Sequence, residues 1–452
     1  MESILSIPLI GTLLPFLLVL GIVIFVHEYG HYIVGRWSGI HAEVFAIGFG
    51  PEIFGWTDRR GTRWKFCWIP LGGYVKFKGD ANPASAPEEG ALDGMAAEER
   101  RTTLQGAPLW AKAATVSAGP VANFILTIVV FALLLLAIGR NSEAPVIGEV
   151  DALGQAYAGG LRGGDEIISV DGAPIETYAD FQETMLAEEG RIKDVAILRD
   201  GAALTLPMTF DRLTRIANVH PGSPAAFACI APGDVIQKID GAAVASFSEL
   251  QAAVERSDGA EMAIVIERDG ALIDLALTPE EMELPNPVTG EVTRRLIVGV
   301  SADFNLGVQP SREAVGLGEA IVEGLYAPVR IAQTTFGYLG EIFAGRADGS
   351  SLGGPIGIAD ASGRAAERGL TDFILLIATL STAIGLINLF PIPILDGGHL
   401  VFYAIEAVRG KPLSDRYMEA AMTAGFVAIL ALLVFATSND VPRTFGPLVS
   451  GC

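Results

Sequence analysis

Apolar positions along the chain follow three different rhythms. Four stretches carry no charge at all: residues 7–26 (20 residues), 113–138 (26 residues), 373–395 (23 residues) and 420–437 (18 residues). At about 1.5 Å per helical residue each covers, or nearly covers, a hydrocarbon core of about 30 Å, so four transmembrane helices are predicted. A second rhythm runs through residues 311–344, where Val315, Ile321, Leu325, Val329, Phe336, Leu339 and Phe343 recur at helical spacing. That is the pattern of an amphipathic helix, packed either on the membrane surface or on the segment before it. The third rhythm has period two. Residues 63–78, RWKFCWIPLGGYVKFK, alternate apolar and basic side chains around Gly72 and Gly73 and predict a hairpin, set either in the membrane or on its cytoplasmic surface.

Between the second and third spans the chain repeats itself. GDEIISVDG at 164–172 is echoed by GDVIQKIDG at 233–241, and LRDGAAL at 198–204 by ERDGALI at 267–273, both displaced by 69 residues. Each copy holds an apolar segment opening on Gly-Asp, a turn at Asp-Gly and a short helix (178–187; 247–256). Alternating residues then run into Arg-Asp-Gly, a hairpin turn signal. This order resembles PDZ domains, of the circularly permuted kind found in bacterial proteases. The resemblance implies a groove where an extended peptide adds to a strand edge, and steric screening is the other use of such a pair. Residues 283–295 read as a loop, 352–360 as a glycine-rich approach to the third span, and 82–104 as a flexible cytoplasmic segment.

Composition agrees with a membrane protein. Half of the 452 residues are apolar, and the formal charge of -21 without a basic cluster excludes a nucleic-acid partner. Lys and Arg set the orientation: residues 36–112 hold ten, and Arg409, Lys411 and Arg416 follow the third span. Both loops belong in the cytoplasm. Residues 141–300, with 11 basic and 27 acidic side chains, then lie outside with both termini, in the periplasm of a bacterial cell. The first span lacks a basic leader and a cleavage site, so it is expected to stay in the mature protein. Cys67, Cys229 and Cys452 are scattered and give no basis for a disulfide framework.

Candidate chemistry lies in the spans. His27-Glu28-Tyr29-Gly30-His31 fits H-E-x-x-H, which on a helix puts two imidazoles on one face for a single metal and lets Glu28 reach a water beside it. Ionisable side chains are costly in lipid and therefore usually mark a function there. A catalytic zinc site needs a third protein ligand. His41 and His220 are badly placed, whereas INLFPIPILDGGHL at 387–400 offers Asp396 and His399 after a helix break forced by Pro391 and Pro393. Spacing does not choose between those two.

A first-span H-E-x-x-H, the later N-x-x-P-x-P-x-L-D-G-G over residues 388–398 and a tandem PDZ insert together resemble the site-2 protease family of intramembrane zinc metalloproteases, within it the bacterial regulator-of-sigma-E branch. SAGPVANF (117–124) and IPLGGYVKFKGD (69–80) look like further family segments. The resemblance implies zinc ligands His27, His31 and Asp396, with Glu28 as the catalytic glutamate. It marks Asn388 and Asn123 as polar residues near the site, for oxyanion or substrate positioning, and interhelical hydrogen bonding is their simpler use. Gly72, Gly73 and Tyr74 would belong to a membrane-reentrant hairpin that receives the substrate strand. The implied fold is a polytopic α-helical membrane protein with four spans, that hairpin and two periplasmic PDZ domains. Its parts are the first span (1–36), hairpin loop (37–112), second span (113–140), PDZ domains (141–213 and 214–285), an amphipathic segment (286–370), third span (371–398), and last loop, fourth span and tail (399–452). The implied partners are single-span membrane proteins such as an anti-sigma factor already cut outside, leftover signal peptides, and extended peptides at the PDZ pair. A PDZ scaffold without catalysis is the rival expectation. A transporter has little basis without an inverted repeat.

Overall fold

The computed structural model describes residues 8–80, 95–151, 155–186, 191–209, 214–220, 223–244, 246–268, 270–285, 292–302, 307–344, 354–411 and 413–449. Two compact units form: one from the chain up to Ala137 together with Gly316–Ser438, the other from Ile138–Val315 with the residues after Ser438. Most of the loop expected at 82–104 lies outside the described residues, as do Cys452 and residues 352–353 of the 352–360 stretch.

The first unit starts with helix α1 (Pro8–Trp37), followed by strands β1 (Ala42–Thr57) and β2 (Arg63–Phe77) and helix α2 (Leu109–Ile138). One turn falls at residues 58–62, and the chain reverses again within β2 between residues 66 and 73, beside Gly72 and Gly73, around which the alternation predicts a hairpin. The alternation did not reveal β1, which lies between the two halves of β2. β2 flanks β1 on both sides, since Phe45 pairs with Trp64 and also with Val75. From Gly73 to Phe77, β2 runs along α1: a Cβ at Gly73 would come within 3.0 Å of Glu28 Cγ, and one at Gly35 within 2.6 Å of the Phe77 ring. A cluster of Tyr32, Ile40, Phe45, Val75 and Phe77 fills the space between them.

Asp58 fixes this junction. Its carboxylate accepts from the Arg60 and Thr62 backbone N–H groups (2.8 and 3.0 Å), from Tyr32 Oη (3.0 Å) and from Trp64 Nε1 (3.3 Å), with Arg36 3.7 Å away. Tyr32 also accepts from Arg36.

The second unit is built from two lobes of the same design. The first contains β3 (Ile147–Val150), β4 (Glu166–Val170), β5 (Ala173–Pro174), helix α3 (Tyr178–Leu186), β6 (Lys193–Arg199) and β7 (Ala202–Met208). The second contains β8 (Ile216–Val219), β9 (Val235–Ile239), β10 (Ala242–Ala243), helix α4 (Phe247–Arg256), β11 (Met262–Arg268) and β12 (Ala271–Leu277). Their sheets have the orders β5-β4-β6-β7 and β10-β9-β11-β12. The Asp-Gly turns appear as predicted, with positive φ at Asp171, Gly172, Asp200, Gly201, Asp240 and Gly241. The repeated Gly-Asp and Arg-Asp-Gly phrases prove to be one interaction. Arg199 grips the buried Asp165 through Nε and Nη2 (2.6 and 2.7 Å), and Arg268 grips Asp234 in the same way (2.7 Å each).

Residues 283–295, expected as a loop, belong largely to a strand pair, β13 (Glu280–Pro285) with β14 (Val292–Ile297). The chain then returns to both lobes. β15 (Val300–Ala302) pairs with β8, and β16 (Val308–Pro310) pairs with β3, so the second unit extends well past 285. Cys229 is disulfide-bonded, a correction to the reading that the scattered cysteines give no basis for a disulfide, and Cys67 is a free, buried thiol.

The chain re-enters the first unit through α5 (Leu317–Phe343), α6 (Pro355–Arg368), α7 (Leu370–Asn388), α8 (Asp396–Arg409) and α9 (Asp415–Val449). Four helical stretches among the described residues are long and apolar enough to cross a membrane: Gly11–Trp37, Leu109–Ile138, Leu370–Asn388 and Arg416–Ser438. The third ends at Asn388, ahead of Pro391, at the helix break that the two prolines predict. The amphipathic helix packs on α2, where Gly324 meets the Ile128 carbonyl and Ala132. Val19, Val23 and Ile377 form the core between α1, α2 and α7. Hydrogen bonds from Thr127 to the Ala378 carbonyl (2.8 Å) and from Ser381 to the Asn123 carbonyl (3.0 Å) tie α2 to α7.

Acid should loosen the hairpin junction. Burial pushes the Asp58 carboxyl up, but the hydrogen bonds to its charged form outweigh that and hold it below the ordinary carboxylate range. A depressed folded value means stabilisation present above about pH 4 and lost as pH falls further. Hydrogen exchange of the β2 amides should therefore accelerate on acidification. Asp58→Asn should exchange faster at neutral pH and show no such acid step.

A candidate metal centre between three helices

α1 carries His27 and His31 on one face, one turn apart, and α8 brings Asp396 to them from more than 360 residues away. His27 Nε2 lies 3.2 Å from His31 Nε2 and 3.2 Å from Asp396 Oδ2, and His31 Nε2 lies 3.5 Å from the same oxygen. Asp396 was expected on irregular backbone and is instead the first residue of α8, preceded by Leu395 in extended conformation. Between α7 and α8 the chain turns through bonds from Leu389 N–H to the Gly385 carbonyl (3.2 Å) and from Leu395 N–H to the Ile392 carbonyl (2.8 Å). The two glycines after Asp396 are sterically required. A Cβ at Gly397 would overlap the Leu389 and Phe390 carbonyl oxygens, and one at Gly398 the Ile392 carbonyl oxygen.

The hydrogen bonds around the rings define which nitrogens face inward. His31 Nδ1 lies 2.9 Å from the Thr115 carbonyl oxygen, which only accepts, so Nδ1 carries the hydrogen and Nε2 presents a lone pair to the centre. His27 Nδ1 lies 3.2 Å from the fully buried Asn123 amide, whose Oδ1 is otherwise without a partner. With the two ends of the amide exchanged, Nδ1–H donates to Oδ1 and His27 Nε2 is left free for a metal. In that arrangement, with both rings neutral, three acceptors converge with no hydrogen between them, and Asp396 Oδ2 is buried without an assigned hydrogen-bond donor. Mutual repulsion would spread such a group unless a cation sat among them. Tetrahedral ligands about 2.0–2.1 Å from one zinc ion lie about 3.3–3.5 Å apart. The observed spacings fit, and among the described residues His27, His31 and Asp396 are the group able to hold a metal.

Neighbouring side chains complete the centre. Gly119 of α2 lies against the pair: a Cβ there would overlap His31 Nε2 and come within 2.9 Å of His27 Cε1. Glu28 faces the Val75 backbone N–H of β2. A cavity of about 190 Å³ is lined by the triad, Glu28, Asn388, His399, and Gly73 to Val75. Asn388 already donates one amide hydrogen to the Ile384 carbonyl (3.0 Å). Asn123 is turned toward His27 instead of the cavity. Gly72 does not line the cavity, and its missing side chain makes room for the Phe49 ring. His399 lines the cavity outside the triad, and His220 belongs to the second unit.

Two residues near the centre had escaped notice in the sequence. Lys112, nearly fully buried in the first turn of α2, lies 3.3 Å from Glu406 and 5.9 Å from the centre of the Tyr403 ring, anchoring α8. A lysine at the start of an apolar helix was the available signal, but Glu406 lies 294 residues away. Gly119 was visible within SAGPVANF, without any indication that it meets the histidines.

These geometric features coincide with a family assignment. The model of peptidase family M50 matches residues 15–432, and the chain belongs to that family. An Agrobacterium fabrum protein provisionally named a zinc metalloprotease is 39% identical over 438 residues, covering 97% of each chain. Metalloprotease MmpA of Caulobacter vibrioides is 33% identical over 456 residues and covers 95% of each. Protease RseP of Yersinia pestis is 32% identical over 467 residues, covering 96% of this chain and 99% of its own.

The close approach at Gly119 gives a direct test of the centre. Gly119→Ala should displace the imidazoles and weaken cobalt(II) binding, followed by visible absorption, by at least about tenfold. Its helix content by circular dichroism should stay unchanged.

Proposed function

We propose that the chain is an intramembrane zinc metalloendopeptidase that hydrolyses peptide bonds within or near the transmembrane segments of single-span proteins. The observation that carries this reading is the meeting of two imidazole nitrogens and a carboxylate oxygen beside Glu28, in a cavity lined by apolar helices and β2. The Agrobacterium relative's name supplies the metal, and those of the other two supply the reaction class. A PDZ scaffold without catalysis would have no use for such a centre.

His27, His31 and Asp396 would hold the ion, a donor set of two imidazoles and one carboxylate that leaves a fourth position open. Bound there, zinc acts as a Lewis acid and brings the pKa of water at the open position to about 7. Glu28 takes the proton of the attacking water and passes it to the leaving nitrogen, so the C–N bond breaks to give a carboxylate and an amine. The Val75 N–H steadies the Glu28 carboxylate. Asn123 orients His27 through Nδ1, the work of an outer ligand. Asn388, at the cavity wall, positions the substrate.

A substrate helix must unwind to expose its amide, and its backbone groups then need new partners. The stretch of β2 around Gly73 and Tyr74 borders the cavity and offers them as a strand edge, with Gly72 shaping the bend before it. The two lobes of the second unit, read as PDZ domains, screen substrates by the bulk of their outer parts. With basic loops inside, the lobes stand in the periplasm of a multi-pass inner-membrane protein and the metal lies toward the cytoplasm. The natural targets in this reading are an anti-sigma factor trimmed by an earlier cut, which links the enzyme to an envelope stress response, and remnant signal peptides.

Glu28→Gln separates catalysis from metal binding. Purified in detergent, it should retain about one zinc per chain and lose cleavage of a model single-span substrate by at least about a hundredfold. Undiminished cleavage would remove Glu28 from the mechanism, and wild-type protein without zinc would favour the scaffold.

A further inference from the structure

His399 is the cavity residue that the reaction above leaves unused. It follows Asp396 by three positions on α8, so both side chains leave the helix on the same side. Its ring is half-buried and borders the space shared by Glu28, Asn388 and the triad. It lies outside the group of atoms that converge on the ion site. Among the described residues no hydrogen bond engages either ring nitrogen. The ring's aromatic neighbours are Phe402 and Tyr403, with centroids 6.1 and 6.5 Å away.

A half-buried imidazole with no protein partner, aimed into a reaction cavity, has its hydrogen-bonding capacity free for what enters the cavity. Neutral or charged, it keeps at least one N–H to donate. Among the other polar side chains of the cavity, Tyr74 and Thr115 carry hydroxyl donors but stand on β2 and α2, and neither shares the first turn of α8 with Asp396 as His399 does. The Glu28 carboxylate accepts, the inward nitrogens of His27 and His31 present lone pairs, and Asn388 has committed one hydrogen to Ile384. Amide hydrolysis builds negative charge on the carbonyl oxygen, where a preorganised donor gives its largest effect. α8 is held firmly enough to aim such a donor, through the Lys112–Glu406 pair on its far turns and the close-packed glycines on its first.

We infer that His399 is a further catalytic residue, which donates a hydrogen bond to the scissile carbonyl oxygen and stabilises the oxyanion that forms there. The inference rests on the zinc-peptidase reading above. His399 keeps its proton throughout: the proton that reaches the leaving nitrogen comes from the attacking water through Glu28. The reaction stays balanced without it.

The experiment compares His399→Phe, which fills the space without a donor, and His399→Gln, which restores an N–H, in the full chain in detergent with a single-span substrate. His399→Phe should retain one zinc per chain and an unchanged KM while kcat falls about a hundredfold, and His399→Gln should recover part of the loss. A phosphinic peptide, whose tetrahedral anion imitates the oxyanion, should bind His399→Phe about a hundredfold more weakly. A hydroxamate should bind both proteins alike. Loss of zinc from His399→Phe, an unchanged kcat, or a Gln variant no better than Phe would overturn the assignment. If Glu28→Gln or wild-type protein fails the preceding test, the zinc-peptidase reading falls first, whatever His399 does.

Discussion

Everything in the membrane unit follows from the convergence of three electron-rich atoms that repel one another. Two imidazole nitrogens and a carboxylate oxygen stand 3.2–3.5 Å apart with no hydrogen to share. Thr115 fixes the tautomer of His31, and Asn123 can do the same for His27. With both rings neutral, such a group is stabilised by a cation at its centre. The surrounding helices therefore have a geometric task as well as a packing one. They must keep the three atoms close enough to bind the ion and far enough apart not to close on one another.

Small residues make this possible. Gly30 lets α1 approach the α2 backbone at Ala118, Gly119 leaves space for the imidazoles, and Gly397 and Gly398 let α8 start against the carbonyls of the broken span. Prolines at 391 and 393 end the third span early, so that Asp396 enters at the depth of His27. β2 closes the remaining side and brings a backbone N–H to Glu28. A span bundle without these features would bury the same apolar area and leave no room for a polar cavity.

How much of this was legible depended on the range of the interaction. The two histidines were readable because helical periodicity alone puts positions 27 and 31 on one face. The four spans were readable from length without charge, and the lobes from a repeat of 69 residues. Asp396 could not be told from His399 by spacing, because both follow the same helix break; proximity to α1 separates them, and that is a long-range property. The strand that lies between the two arms of the hairpin was not legible, since β1, with glycines and a proline at 48–51, hides its alternation. The pairing of Arg199 with Asp165 was present as two repeated phrases, but nothing local shows that one phrase grips the other. Lys112 with Glu406, and the strands that return to the lobes after residue 297, were hidden for the same reason.

Absorption at the zinc K-edge of the purified full-length protein tests the centre most directly. The account predicts about one zinc per chain with only nitrogen and oxygen neighbours, two of them showing imidazole scattering, and loss of the ion in Asp396→Ala. A sulfur neighbour, an imidazole contribution unchanged in His27→Ala, or full zinc retention by Asp396→Ala would contradict it.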